Sequence, residues 1–297
     1  MAYKSHFLFN TIYKIEEENL NILEFSLLVW VGSLTAGFLG ALTGLGGGVV
    51  IVPLLVSVFG VDIRYAVGAS LVSVIATSLG AASTYIKQGY TNLRLGMFLE
   101  VATTIGALIG AMIATFISVK ALSIVLAVVL LYSAFLSQQP KLDNLESESP
   151  DPTGTYLQLN GTYPTPEGVM SYQVHSVPGG FSVMLVAGVL SGLLGIGSGA
   201  FKVLAMDQIM RIPFKVSTTT SNFMIGVTAA ASAGVYLARG YIDPGLSMPV
   251  MLGVLPGAFL GAQVLVGAKT QTLRIIFSLV LVVMAFKMVY NSLIGGL

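Results

Sequence analysis

The sequence predicts an all-α polytopic membrane protein made of two homologous repeats, each a glycine-broken helix pair followed by three transmembrane helices. Three observations carry this expectation. The chain is 55% hydrophobic and only 9% charged, whereas soluble domains carry about 25% charged residues. Uncharged runs cover 25–61, 65–86, 101–119, 121–140, 216–238 and 244–268, and most reach the roughly 20 residues that a bilayer-spanning helix needs. A shift of 151 positions carries Gly44-Leu-Gly-Gly-Gly48 onto Gly195-Ile-Gly-Ser-Gly199.

The shift holds its register without a gap over about a hundred residues, too long a run for chance. It pairs Gly37 with Gly188, Ser70 with Ser221, Tyr85 with Tyr236, Gly89-Tyr90 with Gly240-Tyr241, Gly106 with Gly257, and Gly110 with Gly261. Each half crosses the bilayer an odd number of times, whether the short helix after the break spans or turns back. The halves are therefore expected to be inverted relative to one another. Only a broken helix counted as one crossing would give parallel repeats. Odd parity gathers Lys87, Arg94, Arg211, Lys215, Lys269 and Arg274 on one face and Arg64, Lys120 and Arg239 on the other. This asymmetry places the linker between the halves in the cytoplasm and the termini outside.

The elements follow in order. Residues 1–23 read as an N-terminal interfacial segment, amphipathic, with Lys14 and the run Glu16-Glu17-Glu18. The first repeat, 24–137, holds a helix at 25–43, the break at 44–48, a short helix at 49–60, and helices at 65–87, 95–117 and 121–137. Residues 138–178 turn rich in Pro, Gly, Ser, Asp and Glu. They predict a polar linker outside the bilayer, with a little β structure around 155–159. The second repeat, 179–297, runs through a helix at 180–194, a break at 195–199, a short helix at 200–211, and helices at 215–238, 244–268 and 271–291. Asp243-Pro244 is a helix start, because Asp accepts from free N–H groups and Pro suits the first turn; Asn92 holds the matching place. The small-xxx-small segments Gly106–Gly110 and Gly257–Gly261 predict close helix packing, and Pro249 and Pro256 predict kinks.

Hydrophobic halves with breaks at corresponding positions point to a transporter whose site lies where the halves meet. Within lipid, open backbone survives only against protein or a water-filled cavity. A helix that starts after a glycine loop aims unpaired N–H groups and its positive dipole end at that cavity, which suits an anion. The candidate ligands are Gly46, Gly47 and Gly48 in one break and Gly197, Ser198 and Gly199 in the other; tight packing is the competing explanation of the glycines. Ser70, Ser221, Asn222 and Gln263 are candidate neutral donors, or else helix–helix hydrogen bonds. Val49 stands where a dinucleotide fingerprint needs its third glycine, and no Gly-Lys-Ser/Thr follows, so no nucleotide site is supported. A net charge of +1 argues against a nucleic-acid partner. Without cysteine, and with both histidines outside the predicted spans, no metal site, cofactor or catalytic constellation is expected, and so no enzyme.

Gly37-Phe-Leu-Gly-Ala-Leu-Thr-Gly-Leu-Gly-Gly-Gly48 with Val52-Pro53, and Gly188-Val-Leu-Ser-Gly-Leu-Leu-Gly-Ile-Gly-Ser-Gly199, resemble the sulfite exporter TauE/SafE family, also called the 4-toluene sulfonate uptake permeases. The resemblance covers both halves and leaves out 1–23 and 138–178. It implies a multi-pass secondary transporter of the bacterial inner membrane that moves sulfite, sulfoacetate or another organosulfonate by alternating access. An anion channel, or a carrier of non-sulfur organic anions, is the alternative; a channel would lack saturation and counterflow. Three departures separate the halves: Ser198 stands opposite Gly47, Lys202 opposite Ile51, and Leu204 opposite Pro53. The half-sites are therefore expected to do unequal work.

Lys202 follows Gly199 by three positions. A charge at membrane depth is costly and usually functional. It is expected to touch the anion, with pairing to Asp207 or snorkelling to the interface as competing readings. Glu100 lies in an apolar helix with no cation near it in sequence. Glu100 and Asp207 are candidates for proton coupling; pairing of Glu100 with a cation of another helix is the competing reading. Protons as coupling ion and a homodimer are both left open by the sequence.

Overall fold

The computed structural model describes residues 22–44, 46–138, 151–165, 168–195 and 197–268, and parts of 271–290. Most of the expected interfacial segment 1–23 therefore lies outside the described residues, as do 139–150 of the linker and Leu45 and Ile196 in the breaks.

In the first half, α1 spans Ile22–Thr43 and, after the break, α2 spans Gly48–Ser57. Then come α3 (Ile63–Lys87), α4 (Leu93–Ile113) and α5 (Val119–Gln138). Between the halves lie α6 (Pro152–Tyr156) and an antiparallel hairpin of β1 (Gly161–Thr165) and β2 (Gly168–Tyr172). The second half has α7 (Val177–Leu194), α8 (Gly199–Leu204), α9 (Phe214–Ala238) and α10 (Pro244–Gly267). Beyond α10, the described residues between 271 and 290 are helical. Six helices among the described residues, α1, α3, α4, α7, α9 and α10, are long and apolar enough to cross a bilayer. The chain is thus an all-α multi-pass membrane protein.

Side-chain caps set matching helix starts. Asn92 Oδ1 accepts from Leu95 N–H and Asp243 Oδ2 from Leu246 N–H, both at 3.0 Å. The stretch expected as one short helix at 200–211 is instead α8 followed by a π turn over Ala205–Ile209. Helix α10 continues through both Pro249 and Pro256.

The halves interlock. Helix α1 packs along α10, and α4 along α7, so each long interface joins one half to the other. Glycine permits the approach. A Cβ on Gly257 would fall on the Leu34 carbonyl, and one on Gly261 on that of Phe38. Moved by the repeat shift, Gly106 meets the Leu185 carbonyl and Gly110 that of Val189. Both small-xxx-small segments bring backbone to backbone. Helices α3 and α9, equivalent in the two halves, run antiparallel. Gly68, early in α3, lies against the Tyr241 carbonyl just past the end of α9. Thr219 Oγ1, early in α9, donates to the Tyr90 carbonyl just past α3 at 2.9 Å. Each contact is the other displaced by one repeat.

The linker carries more order than its composition suggests. Asn92 Nδ2 donates to the Leu159 carbonyl and to Tyr172 Oη, both at 2.8 Å. Leu159, Tyr172, Val174 and Val177 join Leu95, Leu99, Met206 and Met210 in one apolar cluster. Asp151 Oδ1 accepts from Thr153 N–H at 2.8 Å and Oδ2 from Val177 N–H at 2.7 Å, so one carboxylate caps both α6 and α7. The Val177 N–H, foremost, holds the Asp151 carboxyl below its ordinary range. The β structure falls at 161–172, not at 155–159, because Asp151-Pro152 opens a helix just as Asp243-Pro244 does.

Candidate functional site

The two breaks share one backbone path. Gly44 and Gly46 take φ of +75° and +72°, and Gly195 and Gly197 take +66° and +72°. Only glycine adopts these values at little cost. The paths part at the next residue: Gly47 has φ −57°, whereas Ser198 has φ +51°. Gly46 and Gly197 both lie against Val74 and Ile225, which are themselves one repeat apart. Gly48 lies against Ser70 Oγ and the Gly195 carbonyl. The breaks therefore meet in the middle of the bundle.

Hydrogen bonds to the broken ends are reciprocal. Ser70 Oγ donates to the Gly195 carbonyl at 2.6 Å, and Ser221 Oγ donates to the Gly44 carbonyl at 3.0 Å. Tyr85 Oη donates to the Ala41 carbonyl at 3.0 Å, and Tyr236 Oη to that of Gly192 at 3.3 Å. Asn222 Nδ2 adds a bond to the Ala41 carbonyl at 3.1 Å. Ser70, Ser221 and Asn222, read from the sequence either as ligand donors or as helix–helix hydrogen bonds, tie down the carbonyl ends of α1 and α7. Each serine hydroxyl has a single hydrogen, which a carbonyl takes, whereas the Asn222 amide has a second N–H.

The helix starts are different. Neither α2 nor α8 has a side-chain cap. Ser198 Oγ, Thr218 Oγ1 and Asn222 Oδ1 are buried without a hydrogen-bond partner among the described residues. Thr218 also lies against Gly44. Gln263, the remaining expected donor, sits on the exposed face of α10, away from this cluster. Among the described residues no group of His, Asp and Glu is placed to hold a metal ion.

Lys202 is fully buried. Its Nζ stands 3.1 Å from Glu100 Oε2 on α4, in the other half. Lys202 also donates to Thr228 Oγ1 of α9, and that hydroxyl donates to Glu100 Oε1. Thr104 Oγ1 donates to the same Oε1 at 3.2 Å. Among the described residues the ammonium thus uses two of its three N–H donors. Lys202 does not snorkel, and its ion pair is with Glu100; Asp207 lies buried in the π turn, where Gln208 Nε2 donates to its Oδ2 at 2.9 Å. Sequence reading left this pairing open because the partners lie on different halves, with no shared helix face to relate them. The available signal was that two opposite charges occupied otherwise uncharged segments. At the positions equivalent to Glu100, Lys202 and Thr228, the other half carries Met251, Ile51 and Thr77.

The sequence profile described as sulfite exporter TauE/SafE matches residues 29–288. The chain belongs to the TauE/SafE sulfite exporter family. It is similar to the probable membrane transporter protein YunE of Bacillus subtilis, 29% identical over 279 residues, covering 91% of this chain and 99% of that protein. It is also similar to the probable membrane transporter protein YdhB of the same organism, 27% identical over 238 residues, with 80% and 87% covered. A probable membrane transporter protein of Methanocaldococcus jannaschii is 24% identical over 293 residues, with 93% and 99% covered. No solved structure matches. This TauE/SafE chain is a multi-pass membrane transporter, and its two glycine breaks are those that carried the resemblance.

Proposed function

We propose that this TauE/SafE protein is a secondary transporter, not an enzyme, for a small sulfur-containing anion such as sulfite, sulfoacetate or another organosulfonate. The anion is held between Gly46–Gly48 and Gly197–Lys202. One observation carries the reading: at the breaks the helix-end carbonyls receive side-chain hydrogen bonds, while the helix starts have no side-chain caps. The carbonyls of Ala41, Gly44, Gly192 and Gly195 all receive side-chain hydrogen bonds. The starts of α2 and α8 are uncapped, Ser198 Oγ has no partner among the described residues, and Lys202 keeps one N–H. Satisfied carbonyls beside uncapped helix starts and a buried ammonium favour an anion over a cation.

The antiparallel passage of α3 and α9 supports inverted repeats, and rocking of one interlocked pair of helices against the other supplies alternating access. Calorimetry on purified protein tests the assignment with sulfite, sulfoacetate, taurine, sulfate and chloride. The expected outcome is selective binding of a sulfite or sulfonate. Lys202→Ala weakens it at least about tenfold, or 1.4 kcal/mol, and Lys120→Ala on the exposed surface of α5 leaves it unchanged. Equal affinity in Lys202→Ala removes the site; indifference to every sulfur anion removes the substrate class.

A further inference from the structure

We propose that Glu100 and Lys202 form a counter-ion switch that couples each anion to one proton. The proposal rests on the anion site above and adds what that site must do about the charge already beside Lys202. Glu100 Oε2, at 3.1 Å, neutralises the Lys202 ammonium, and both groups are buried. A monovalent anion that takes the remaining N–H of Lys202 sets two negative charges against one cation in a low-dielectric interior. An uncompensated buried charge is strongly unfavourable. A proton delivered to Glu100 removes it.

The balance closes at each end. Without an anion the pair holds one ammonium and one carboxylate, with zero net charge. With a monovalent anion it holds the ammonium, the anion and a neutral carboxylic acid, again with zero net charge. No covalent bond breaks; one proton moves onto a Glu100 carboxylate oxygen. Thr228 is placed to serve both states, since its hydroxyl accepts from Lys202 and donates to Glu100. Thr104 holds the same carboxyl from its own helix.

The surroundings single out this pair. Helix α7, packed along α4, carries no titratable side chain. Helix α9 brings Lys215 in its first turn and Tyr236 near its end, where the Tyr236 hydroxyl lies on the Gly192 and Leu193 carbonyls, and Arg239 just past its end donates to the Ala111 carbonyl of α4 at 3.2 Å. Asp207 in the π turn takes the Gln208 amide. At the hairpin end Tyr172 lies on Asn92, and Arg94 bonds Gln158. Of these groups, Lys202 is the one in contact with Glu100. Because Met251 and Ile51 occupy the equivalent places, the switch exists once per chain, and the expected ratio is one proton per anion.

The test uses the full-length protein in liposomes with labelled methanesulfonate. This probe stays a monoanion from acid to neutral pH, so any proton in the response belongs to the protein. One unit of external acidity should drive wild type to about a tenfold inward accumulation, unaltered when potassium and valinomycin clamp the membrane potential. In Glu100→Gln the accumulation ratio should fall to about one while counterflow continues at a reduced rate. The double variant Glu100→Met with Lys202→Ile copies the residues of the other half, leaves no orphan charge, and should fold yet lose both accumulation and counterflow. Wild-type counterflow indifferent to the pH gradient, or tenfold accumulation in either variant, overturns the switch and leaves the anion site standing. If wild type shows no counterflow with methanesulfonate, sulfite or sulfoacetate, the anion site falls and the switch with it.

Discussion

Around Gly48 and around Gly199 the chain follows nearly the same path, and Ser70 on the Gly195 carbonyl answers Ser221 on the Gly44 carbonyl. The helix after the first break then carries Ile51, and the helix after the second carries Lys202. Glu100 and Thr228 meet that lysine, whereas Met251 and Thr77 stand in their places in the other half. The backbone-holding contacts are kept twice and the charges occur once. A second buried pair would repeat the desolvation penalty of taking two ions out of water. A second serine–carbonyl bond carries no such penalty, since it satisfies a group the break exposes in any case.

The largest expected effect comes from breaking the asymmetric partner. Lys202→Ala leaves the Glu100 carboxylate buried and unpaired, a loss of about 3–5 kcal/mol, seen as a lowered Tm in detergent. Glu100→Met with Lys202→Ile should recover most of that loss; a double variant as unstable as the single one would show that the pair is needed for folding itself. The symmetric contacts come next. Ser70→Ala and Ser221→Ala each strand a carbonyl and should cost about 1–2 kcal/mol each. Clearly unequal losses would mean that the reciprocal bonds differ in strength despite their shared geometry. The smallest effect lies outside both half-sites, at Asp151. Its carboxyl titrates below the ordinary range when folded, so its stabilisation is present above the unfolded pKa and is lost as pH falls through the folded pKa. Asp151→Asn should lower the neutral-pH Tm slightly, towards the wild-type acid value, and so flatten the acid-dependent fall in a Tm-versus-pH series.

Much of the fold is legible in particular residues. The uncharged runs and the Asn92 and Asp243 caps locate the helices, because hydrophobic length and a side-chain acceptor act locally. The hairpin lies a few residues beyond the stretch its composition suggests, because Asp151-Pro152 opens a helix first. At the candidate site the sequence left two readings open for the small polar residues, ligand donor or helix–helix hydrogen bond. Ser70, Ser221 and Asn222 are polar residues in apolar segments either way. Whether their hydrogens face a ligand or a carbonyl depends on where another half's backbone ends, and no local pattern records that.

By itself, then, the sequence determined that the chain spans a membrane, that one pattern recurs at a shift of 151 positions, and that both occurrences carry a glycine-rich break. Those properties follow from hydropathy, from self-similarity and from the φ values that only glycine takes cheaply. The tertiary structure alone decided that α1 lies along α10 and α4 along α7, that the free carbonyls are taken while the helix starts stay open, and that Lys202 meets Glu100. Each of these joins residues far apart in the chain through contacts a few ångströms long, and such contacts are fixed only when the two halves close on one another.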